Sequence, residues 1–139
     1  MTIMILLIST FITLQAPITD MDEKSNIEKW NAAEQIWIWQ PLIDAVVWVE
    51  SRGDTFAFNE KEMAVGAFQI RQCRVDHYRR LTGLNYTLED FFDYDLSREM
   101  FEYFARDKTF KQAAKDWNGS GPLTEIYWKK VKTFLYGNN

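Results

Sequence analysis

The fold of this chain is decided by residues 42–51, which read LIDAVVWVES. From Leu42 to Val49, seven of the eight residues are apolar, and Asp44 is the exception. A helix that is apolar nearly all round is a buried helix, so this segment predicts a helix in the middle of the core. We expect it to begin at Pro41, whose missing N–H is harmless in a first turn, and to end at Gly53, which suits a left-handed cap.

Helical and turn signals continue on both sides of this segment. Before it, residues 25–28 have capping-box spacing and predict a first helix that ends near Trp39. After it, residues 55–70 lack a helical period and predict one short β-hairpin or an irregular loop. Four further helices and a turn at residues 87–90 are predicted. Gly83 ends the first of these helices, Ser97 caps the second, Gly119 ends the third and Pro122 starts the fourth. The residues predicted to face inward are, helix by helix, Val75, Tyr78 and Leu81; Leu96, Met100, Tyr103 and Phe104; Phe110, Ala113, Ala114 and Trp117; and Leu123, Ile126, Tyr127, Phe134 and Leu135. The predicted fold class is mainly α, a helical bundle around a buried helix.

The composition of the 139-residue chain excludes several classes of protein. Apolar residues make up 47% and charged residues 26%, which is typical of one globular domain. Sixteen Lys and Arg against twenty Asp and Glu give a net charge of −4, which argues against a nucleic-acid binder, since those are usually basic. The single cysteine, Cys73, and the single histidine, His77, argue against a Cys-based or His-rich metal site. We expect no metal, no cofactor and no nucleic-acid partner.

The N-terminus is typical of an export segment. Residues 3–14 are apolar apart from three hydroxyl residues, and a stretch of about 12 residues is shorter than the roughly 20 that span a bilayer. This length suits the apolar region of a secretory signal with cleavage after Ala16. We expect residues 1–16 to form a signal peptide, or alternatively an uncleaved apolar anchor, and residues 17–139 to form a periplasmic or otherwise exported domain.

Glu50 does not fit the pattern of a buried apolar helix. Val47, Val46 and Ile43 precede it by three, four and seven residues and therefore share its face of the helix. Burial and the negative end of the helix dipole both raise the pKa of a carboxyl group. A carboxyl that stays protonated near neutral pH is what a general acid requires. The alternative is a Glu50 side chain that turns to solvent and pairs with Arg52.

Three segments of the chain occur in a characteristic order. Residues 42–51 end in a Glu-Ser pair, residues 66–70 read Gly-Ala-Phe-Gln-Ile, and residues 113–122 contain two alanines and then Trp-Asn-Gly-Ser-Gly-Pro. Together they resemble the catalytic helix, the Gly-Leu-Met-Gln-Ile segment and the Ala-Tyr-Asn-Ala-Gly-Pro motif of lytic transglycosylases of the lysozyme-like superfamily. The resemblance covers residues 40–135 and implies that family's mainly helical, α+β lysozyme-like fold.

The resemblance also implies an activity and a set of site residues. The family cleaves the β-1,4 bond from N-acetylmuramic acid to N-acetylglucosamine in peptidoglycan and forms a 1,6-anhydro product without a metal or cofactor. Carried over to this chain, Glu50 is the catalytic acid and then the base. The implied substrate-binding residues are Ser51, Phe68, Gln69, Trp117, Asn118 and Tyr127. The alternatives are a solvent-exposed helix end for Ser51, hydrogen bonds to backbone groups for Gln69 and Asn118, and core packing for Trp117 and Tyr127. Phe68 stands where the family usually has Met, and Trp117 stands where it usually has Tyr, whose hydroxyl both donates and accepts hydrogen bonds.

Two other functions stay open at this point. A lysozyme-like hydrolase of the same fold uses water and needs a second carboxylate, for which Asp54, Glu60 and Glu62 are candidates. A catalytically silent glycan-binding or envelope-assembly protein binds sugar without turnover. The expected partner is a peptidoglycan glycan strand in each case, with envelope or secretion machinery as a further candidate, and we expect a monomer.

A basic cluster follows the second motif. It consists of Arg71, Arg74, Arg79 and Arg80. We interpret these side chains as a solvated surface, and the alternative is that they bind the carboxylates of peptidoglycan.

Overall fold

The helix that carries Glu50 lies at the centre of the structure, a computed structural model that describes the backbone of residues 32–137 and the side chains of residues 38–137. This helix, α1, runs over Ala32–Ser51. The predicted export segment and the capping box at residues 25–28 lie outside the described residues. Among the described helices, none combines the length and the apolar character that a membrane span requires.

A small sheet and four more helices follow α1. Strands β1 (Phe58–Asn59), β2 (Ala64–Val65) and β3 (Ile70–Arg71) form an antiparallel sheet in the order β1-β2-β3. The helices that follow are α2 (Gln72–Thr82), α3 (Tyr94–Ala105), α4 (Phe110–Asn118) and α5 (Leu123–Tyr136), with a short 3₁₀ helix at Glu89–Phe92 before α3. The prediction of a mainly helical domain is confirmed. The region after α1 has one strand more than the predicted hairpin, because β3 pairs with the outer side of β2.

The core forms where α1 packs against α4 and α5, and where α3 packs against α4. The apolar side chains with no exposed surface come from all five α-helices, the 3₁₀ helix and the turn before β3: Leu42, Ile43, Ala45, Val46, Phe68, Val75, Phe91, Met100, Ala114 and Val131. Four of these ten residues belong to α1, so the prediction that residues 42–49 form a buried helix is confirmed. Apolar burial of this extent is the main stabilising contribution to a small domain.

One predicted helix boundary is wrong. The sequence predicts a break between Trp39 and Pro41, whereas the structure has a single helix with Pro41 inside it. Proline removes one helical hydrogen bond, and its ring crowds the carbonyl group four residues earlier. Trp39, Leu42 and Ile43 are nevertheless all buried, with exposed fractions of 6%, 0% and 0%. Burial on both sides of the proline keeps the chain helical.

The buried faces of α2 and α5 differ from those predicted. Leu81, Leu123, Ile126 and Phe134 are predicted to face inward, and all four are exposed in the structure. On α5 the buried residues are Thr124, Tyr127 and Val131. Hydrophobicity alone cannot identify this face, because a hydroxyl residue, Thr124, occupies one buried position while three apolar residues lie outside.

The predicted cap of α3 is also wrong. Asp93, not Ser97, caps the helix: its carboxylate accepts a hydrogen bond of 2.8 Å from the backbone N–H of Leu96. Ser97 lies inside the helix with no exposed surface. Its hydroxyl donates to the carbonyl of Phe91 at 2.7 Å and so ties α3 to the 3₁₀ helix. Helix ends with Asp at the cap are common, since its oxygen accepts from a free backbone N–H.

Gly66 determines how closely the sheet approaches the 3₁₀ helix. Its φ angle is +72°, and a Cβ atom at this position would overlap with the carbonyl oxygen of Phe91. The position therefore needs glycine both for its left-handed backbone and for the close contact. The Gly66 N–H donates to the Ala57 carbonyl at 2.9 Å, which closes the loop between β2 and β3 onto the segment before β1.

Candidate active site

Glu50 lies in the last turn of α1 and faces α5. The hydroxyl of Tyr127 donates a hydrogen bond of 2.8 Å to Glu50 Oε1, across a sequence separation of 77 residues. Tyr127 is buried, and Glu50 is half-buried. Where the chain is described, the alternative pairing with Arg52 does not form, because the Arg52 guanidinium lies over the ring of Trp48 at 4.9 Å.

The surroundings of Glu50 favour its neutral form. Burial raises the pKa of Glu50 from 4.5 to about 7. The hydrogen bond from Tyr127 and the positive charges of Arg71 and Lys130 lower this pKa, and the negative charge of Glu62 raises it. Loss of solvent is the largest of these effects, so the direction is the one that the apolar helix face predicts. The carboxyl can therefore exchange a proton close to neutral pH.

Tyr127 remains a neutral hydrogen-bond donor at any physiological pH. Burial and then the nearby charge of Glu50 raise the pKa of Tyr127 well above its usual range. A neutral hydroxyl that donates to a carboxylate stabilises the ionised form of that carboxylate without supplying a charge. The resemblance implies a substrate-binding role for Tyr127. Its observed contact is with the candidate acid itself.

Ser51 joins the end of α1 to the second motif. Its hydroxyl donates to the Ala67 carbonyl at 2.8 Å and lies 3.3 Å from the Val47 carbonyl. Glu50 and the segment 66–70 therefore meet at one end of α1. Because the Ser51 hydroxyl binds backbone carbonyls, its contacts favour a structural role over direct substrate binding.

Phe68 and Trp117, the two departures from the family pattern, form one packed unit. Phe68 is 0% exposed and Trp117 is 6% exposed. Their ring centroids lie 6.1 Å apart, and the Trp117 indole N–H donates to the Phe68 carbonyl at 3.1 Å. Phe101 contacts both rings, at 5.7 Å and 5.0 Å. The resemblance implies substrate contact for both residues, but the structure places both in the core, because an indole ring packs there with its N–H group satisfied.

Gln69 is held by the backbone around it. Its φ angle is +50°, and its side chain is half-buried. The side-chain amide donates to the Gly66 carbonyl at 3.0 Å and to the Ala57 carbonyl at 3.4 Å. The same two residues already share a backbone hydrogen bond, so Gln69 reinforces this loop. The side-chain amide of Gln69, which the resemblance implies to be substrate-binding, thus forms hydrogen bonds within the protein.

Arg74 holds the end of α4. One of its terminal nitrogens donates to the carbonyls of Asp116 at 2.9 Å and Trp117 at 2.8 Å. Its guanidinium also lies over the rings of Trp117 and Phe104, at 4.7 Å and 5.1 Å. The last carbonyls of a helix have no partner within the helix, and a guanidinium supplies one. The interpretation of Arg74 as a solvated residue is therefore wrong.

Arg71, which the sequence predicts to be a solvated residue of the basic cluster, acts on Glu50 through its charge. Its Nη2 donates to the Asn118 carbonyl at 3.2 Å, and its Nη1 lies 3.6 Å from Glu62 Oε2. The positive charge of Arg71 lowers the pKa of Glu50. The hydrogen bond from Arg71 to the Asn118 carbonyl brings half-buried Asn118 to the same end of α1. The available signal was position, because Arg71 directly follows the motif that Ser51 ties to Glu50. The solvated interpretation holds for Arg79 and Arg80, which are exposed.

Glu62 is the candidate second carboxylate that acts on Glu50. It lies in the loop between β1 and β2, and its negative charge raises the pKa of Glu50. Asp54 serves the backbone instead, since its carboxylate accepts a hydrogen bond of 2.8 Å from the N–H of Phe56. Glu60 is exposed. Of the three candidates, Glu62 is the one whose charge acts on Glu50.

Two surface pockets of the described residues lie away from Glu50. One, of about 390 Å³, is lined by Gln40, Pro41, Asp44, Phe134 and Leu135. The other, of about 450 Å³, is lined by Asp76, Arg79, Arg80, Gly83, Leu84 and Asn85. Within residues 38–137, no three acidic, cysteine or histidine side chains are grouped so that they could hold a metal ion.

The C-terminal end of α1 thus brings together Glu50, Ser51, the segment 66–70, Asn118 and Tyr127. Phe68 and Trp117 pack in the core beneath these residues. The relationship to lytic transglycosylases that the three motifs predict stays a prediction. No protein-family model, no curated protein sequence and no solved structure gives a significant match to this chain.

Proposed function

We propose that this protein is a lytic transglycosylase that cleaves the β-1,4 bond from N-acetylmuramic acid to N-acetylglucosamine in peptidoglycan. The observation that carries the proposal is the pair of Glu50 and Tyr127. Burial raises the pKa of this carboxyl to about 7, and a neutral hydroxyl holds one of its oxygens at 2.8 Å. General acid–base catalysis is most effective when the pKa of the group lies near the working pH.

In the first step, protonated Glu50 donates its proton to the glycosidic oxygen. The bond from this oxygen to the anomeric carbon breaks, and the carbonyl oxygen of the muramic N-acetyl group forms a new bond to that carbon. Glu50 is left as a carboxylate. The hydrogen bond from Tyr127 stabilises this charged form and lowers the energy of the state that follows proton transfer.

In the second step, the Glu50 carboxylate accepts the proton of the sugar's own 6-hydroxyl group. The oxygen of that group attacks the anomeric carbon, displaces the N-acetyl oxygen and closes the 1,6-anhydro ring. Glu50 ends the cycle protonated, and no water is consumed. One carboxyl therefore serves in both directions, which requires a pKa that is neither that of a free carboxylate nor that of a permanently neutral acid.

A lysozyme-like hydrolase is the second candidate, and one observation favours it. The charge of Glu62 acts on Glu50 from the loop between β1 and β2. Hydrolytic glycosidases use a second carboxylate to activate water or to stabilise the cationic sugar. In this alternative Glu62 supplies that function, and the product carries a reducing end.

Product analysis separates these functions. Purified peptidoglycan is digested with wild-type protein, Glu50→Gln and Glu62→Gln, and the released fragments are weighed by mass spectrometry. We expect wild type and Glu62→Gln to release anhydro fragments, lighter by one water than hydrolysis products, and Glu50→Gln to lose activity by a factor of about 100 or more. Glu125→Gln, a substitution on the exposed face of α5, is the matched control and keeps full activity.

Two results contradict the proposal. Reducing-end fragments that disappear in Glu62→Gln identify a hydrolase. Binding of glycan without any release of fragments identifies a silent glycan-binding or envelope-assembly protein. Because peptidoglycan lies outside the cytoplasmic membrane, the proposed activity requires an exported or periplasmic protein, which the N-terminal 16 residues are predicted to provide as a signal or anchor. We infer that the enzyme acts as a monomer.

A further inference from the structure

The charge of Arg71 acts on Glu50, and one side of its guanidinium is hydrogen-bonded to a backbone carbonyl. Its backbone belongs to β3, where Arg71 is paired with Ala64 of β2. Its Nη2 donates to the Asn118 carbonyl at 3.2 Å, at the end of α4. The sheet and α4 therefore both determine where this guanidinium sits, which is the kind of preorganisation that a ligand-binding cation needs.

The other side of the guanidinium is paired only loosely. Nη1 lies 3.6 Å from Glu62 Oε2, which is longer than the 2.7–2.9 Å, roughly, of a charge-assisted hydrogen bond. The Arg71 and Glu62 side chains are 40% and 59% exposed. Exposed ion pairs of this kind contribute little, because water and salt screen both charges. A second anion can therefore replace Glu62 at small cost.

The guanidinium of Arg74, three residues later, is fully used in contacts within the protein. It donates to two helix carbonyls at 2.9 Å and 2.8 Å and covers two aromatic rings. Burial lowers the pKa of Arg74. Arg71 lacks this ring sandwich among the described residues, and its Nη1 faces an exposed carboxylate instead. The two arginines thus differ in how much of the guanidinium is free for a ligand.

We propose that Arg71 is a substrate-binding residue that exchanges the Glu62 carboxylate for a carboxylate of the glycan strand. The inference rests on the proposed function and specifies which chemical group of the substrate the site recognises. Peptidoglycan carries such groups in two places, the lactyl ether of peptide-free muramic acid and the stem peptide. A planar guanidinium binds either one through two parallel hydrogen bonds. Glu62 then competes weakly with the incoming carboxylate for Arg71.

The test measures binding of soluble glycan fragments to the full chain carrying Glu50→Gln, so that turnover does not interfere. The probes are a peptide-free tetrasaccharide with free lactyl carboxylates, the same tetrasaccharide with stem peptides, the peptide-bearing form with its carboxylates converted to carboxamides, and the neutral tetramer of N-acetylglucosamine. We expect Arg71→Gln to weaken binding of the carboxylate-bearing probes by a factor of about 10. Its affinity for the carboxamide probe and for the tetramer of N-acetylglucosamine is expected to equal that of the protein with Arg71. The probe that loses most identifies the lactyl or the stem-peptide source.

Glu62→Gln supplies a result that a structural role cannot produce. Removing the competing carboxylate frees Arg71, so we expect Glu62→Gln to strengthen binding of carboxylate-bearing probes by a factor of about 3. Arg71→Lys keeps the charge without the planar fork and restores part of the preference. Arg80→Gln, an exposed arginine of α2, is the matched control and changes no affinity.

The outcomes distinguish this inference from the proposed function. Equal loss of affinity for charged and neutralised probes in Arg71→Gln, or weaker binding in Glu62→Gln, overturns the role of Arg71 while wild-type cleavage of peptidoglycan leaves the proposed function in place. Absence of cleavage by wild type, together with absence of binding to every probe, overturns both. Thermal unfolding of each variant shows that the affinities compare folded proteins.

Discussion

Two carboxyl groups lie where α5 meets another helix, and their pKa values are shifted in opposite directions. Glu50 of α1 receives a hydrogen bond from the buried hydroxyl of Tyr127, and burial raises its pKa to about 7. Glu125 of α5 receives a hydrogen bond of 2.6 Å from Lys115 of α4, and this bond lowers its pKa, with Lys111 contributing from 3.7 Å. Both are glutamates with one short hydrogen bond, so the residue type does not explain the difference.

The comparison shows that water and the charge of the partner decide the role of each carboxyl. At Glu50, loss of solvent penalises the charge and the neutral partner only partly compensates. At Glu125, solvent remains and two cations favour the charge, so the contact is an ordinary surface ion pair between α4 and α5. Only the first arrangement can supply a proton near neutral pH.

The largest effect on the comparison is expected from a side chain at Gly66, because the segment after it is hydrogen-bonded to Ser51, the neighbour of Glu50. We expect Gly66→Ala to lower the free energy of unfolding by about 3 kcal/mol or more, because the added Cβ overlaps with the Phe91 carbonyl and the backbone is left-handed. Urea denaturation measures the loss. Gly83→Ala is the control, since Gly83 has φ +73° but open space around it, and its cost is about 1 kcal/mol. Equal losses in both variants contradict the role of the contact.

Replacing Glu50 by Gln is expected to stabilise the protein at alkaline pH. In the unfolded chain this carboxyl ionises near 4.5, whereas the folded protein keeps the proton up to about 7. The unfolded state therefore binds fewer protons between these values, and stability falls as pH rises through them. The difference corresponds to about 3 kcal/mol, which partial exposure of the side chain reduces to about 2 kcal/mol.

The measurement is urea denaturation of wild type and Glu50→Gln at pH 8 and pH 4. The gain from the substitution is expected at pH 8 and disappears at pH 4, where both states hold the proton. Glu125→Gln provides the contrast, because a carboxyl whose pKa is lowered has no penalty to remove. A gain from Glu50→Gln that is the same at both pH values indicates that burial of charge is not its cause.

Replacing Tyr127 by Phe sharpens the comparison by removing only the hydrogen bond. Because this bond lowers the pKa of Glu50, its loss raises that pKa further. We expect the alkaline limb of the pH–rate profile for peptidoglycan cleavage to move up by about one pH unit, with a rate at the optimum lower by a factor of about 10. A limb that moves to lower pH shows that the hydroxyl stabilises the neutral acid instead.

The smallest effect is expected at the exposed pair. Glu125→Gln removes the contacts to Lys115 and Lys111 on the surface, and we expect no measurable change in melting temperature or in the pH–rate profile. Thermal melting and peptidoglycan digestion test this directly. A displaced pH–rate profile would show that the exposed charges of α4 and α5 act on Glu50 through the domain.

Local signals in the sequence were sufficient for much of the fold. The apolar run of residues 42–49 identifies the buried helix, and Gly83 and Gly119 end α2 and α4 as predicted. Predictions failed where tertiary packing outweighed a local preference. Pro41 remains inside a helix whose neighbours are buried, and the buried side of α5 includes Thr124 but not Ile126. At Pro41, burial of the neighbouring residues outweighs the local cost of a proline inside a helix, which is about 3 kcal/mol. On α5, Thr124 is buried because it shares one helix face with Tyr127 and Val131.

The amino-acid order by itself determined that a carboxyl ends an apolar helix, with neighbours three, four and seven residues away on its face. It predicted a raised pKa for this carboxyl but left open that the side chain turns to solvent. What only the tertiary structure decided is which groups meet this carboxyl. Tyr127 lies 77 residues away, and Arg71 reaches the Asn118 carbonyl across 47 residues. No local pattern encodes such distances, since they depend on how α5 packs on α1 and how the sheet folds back onto the end of α4.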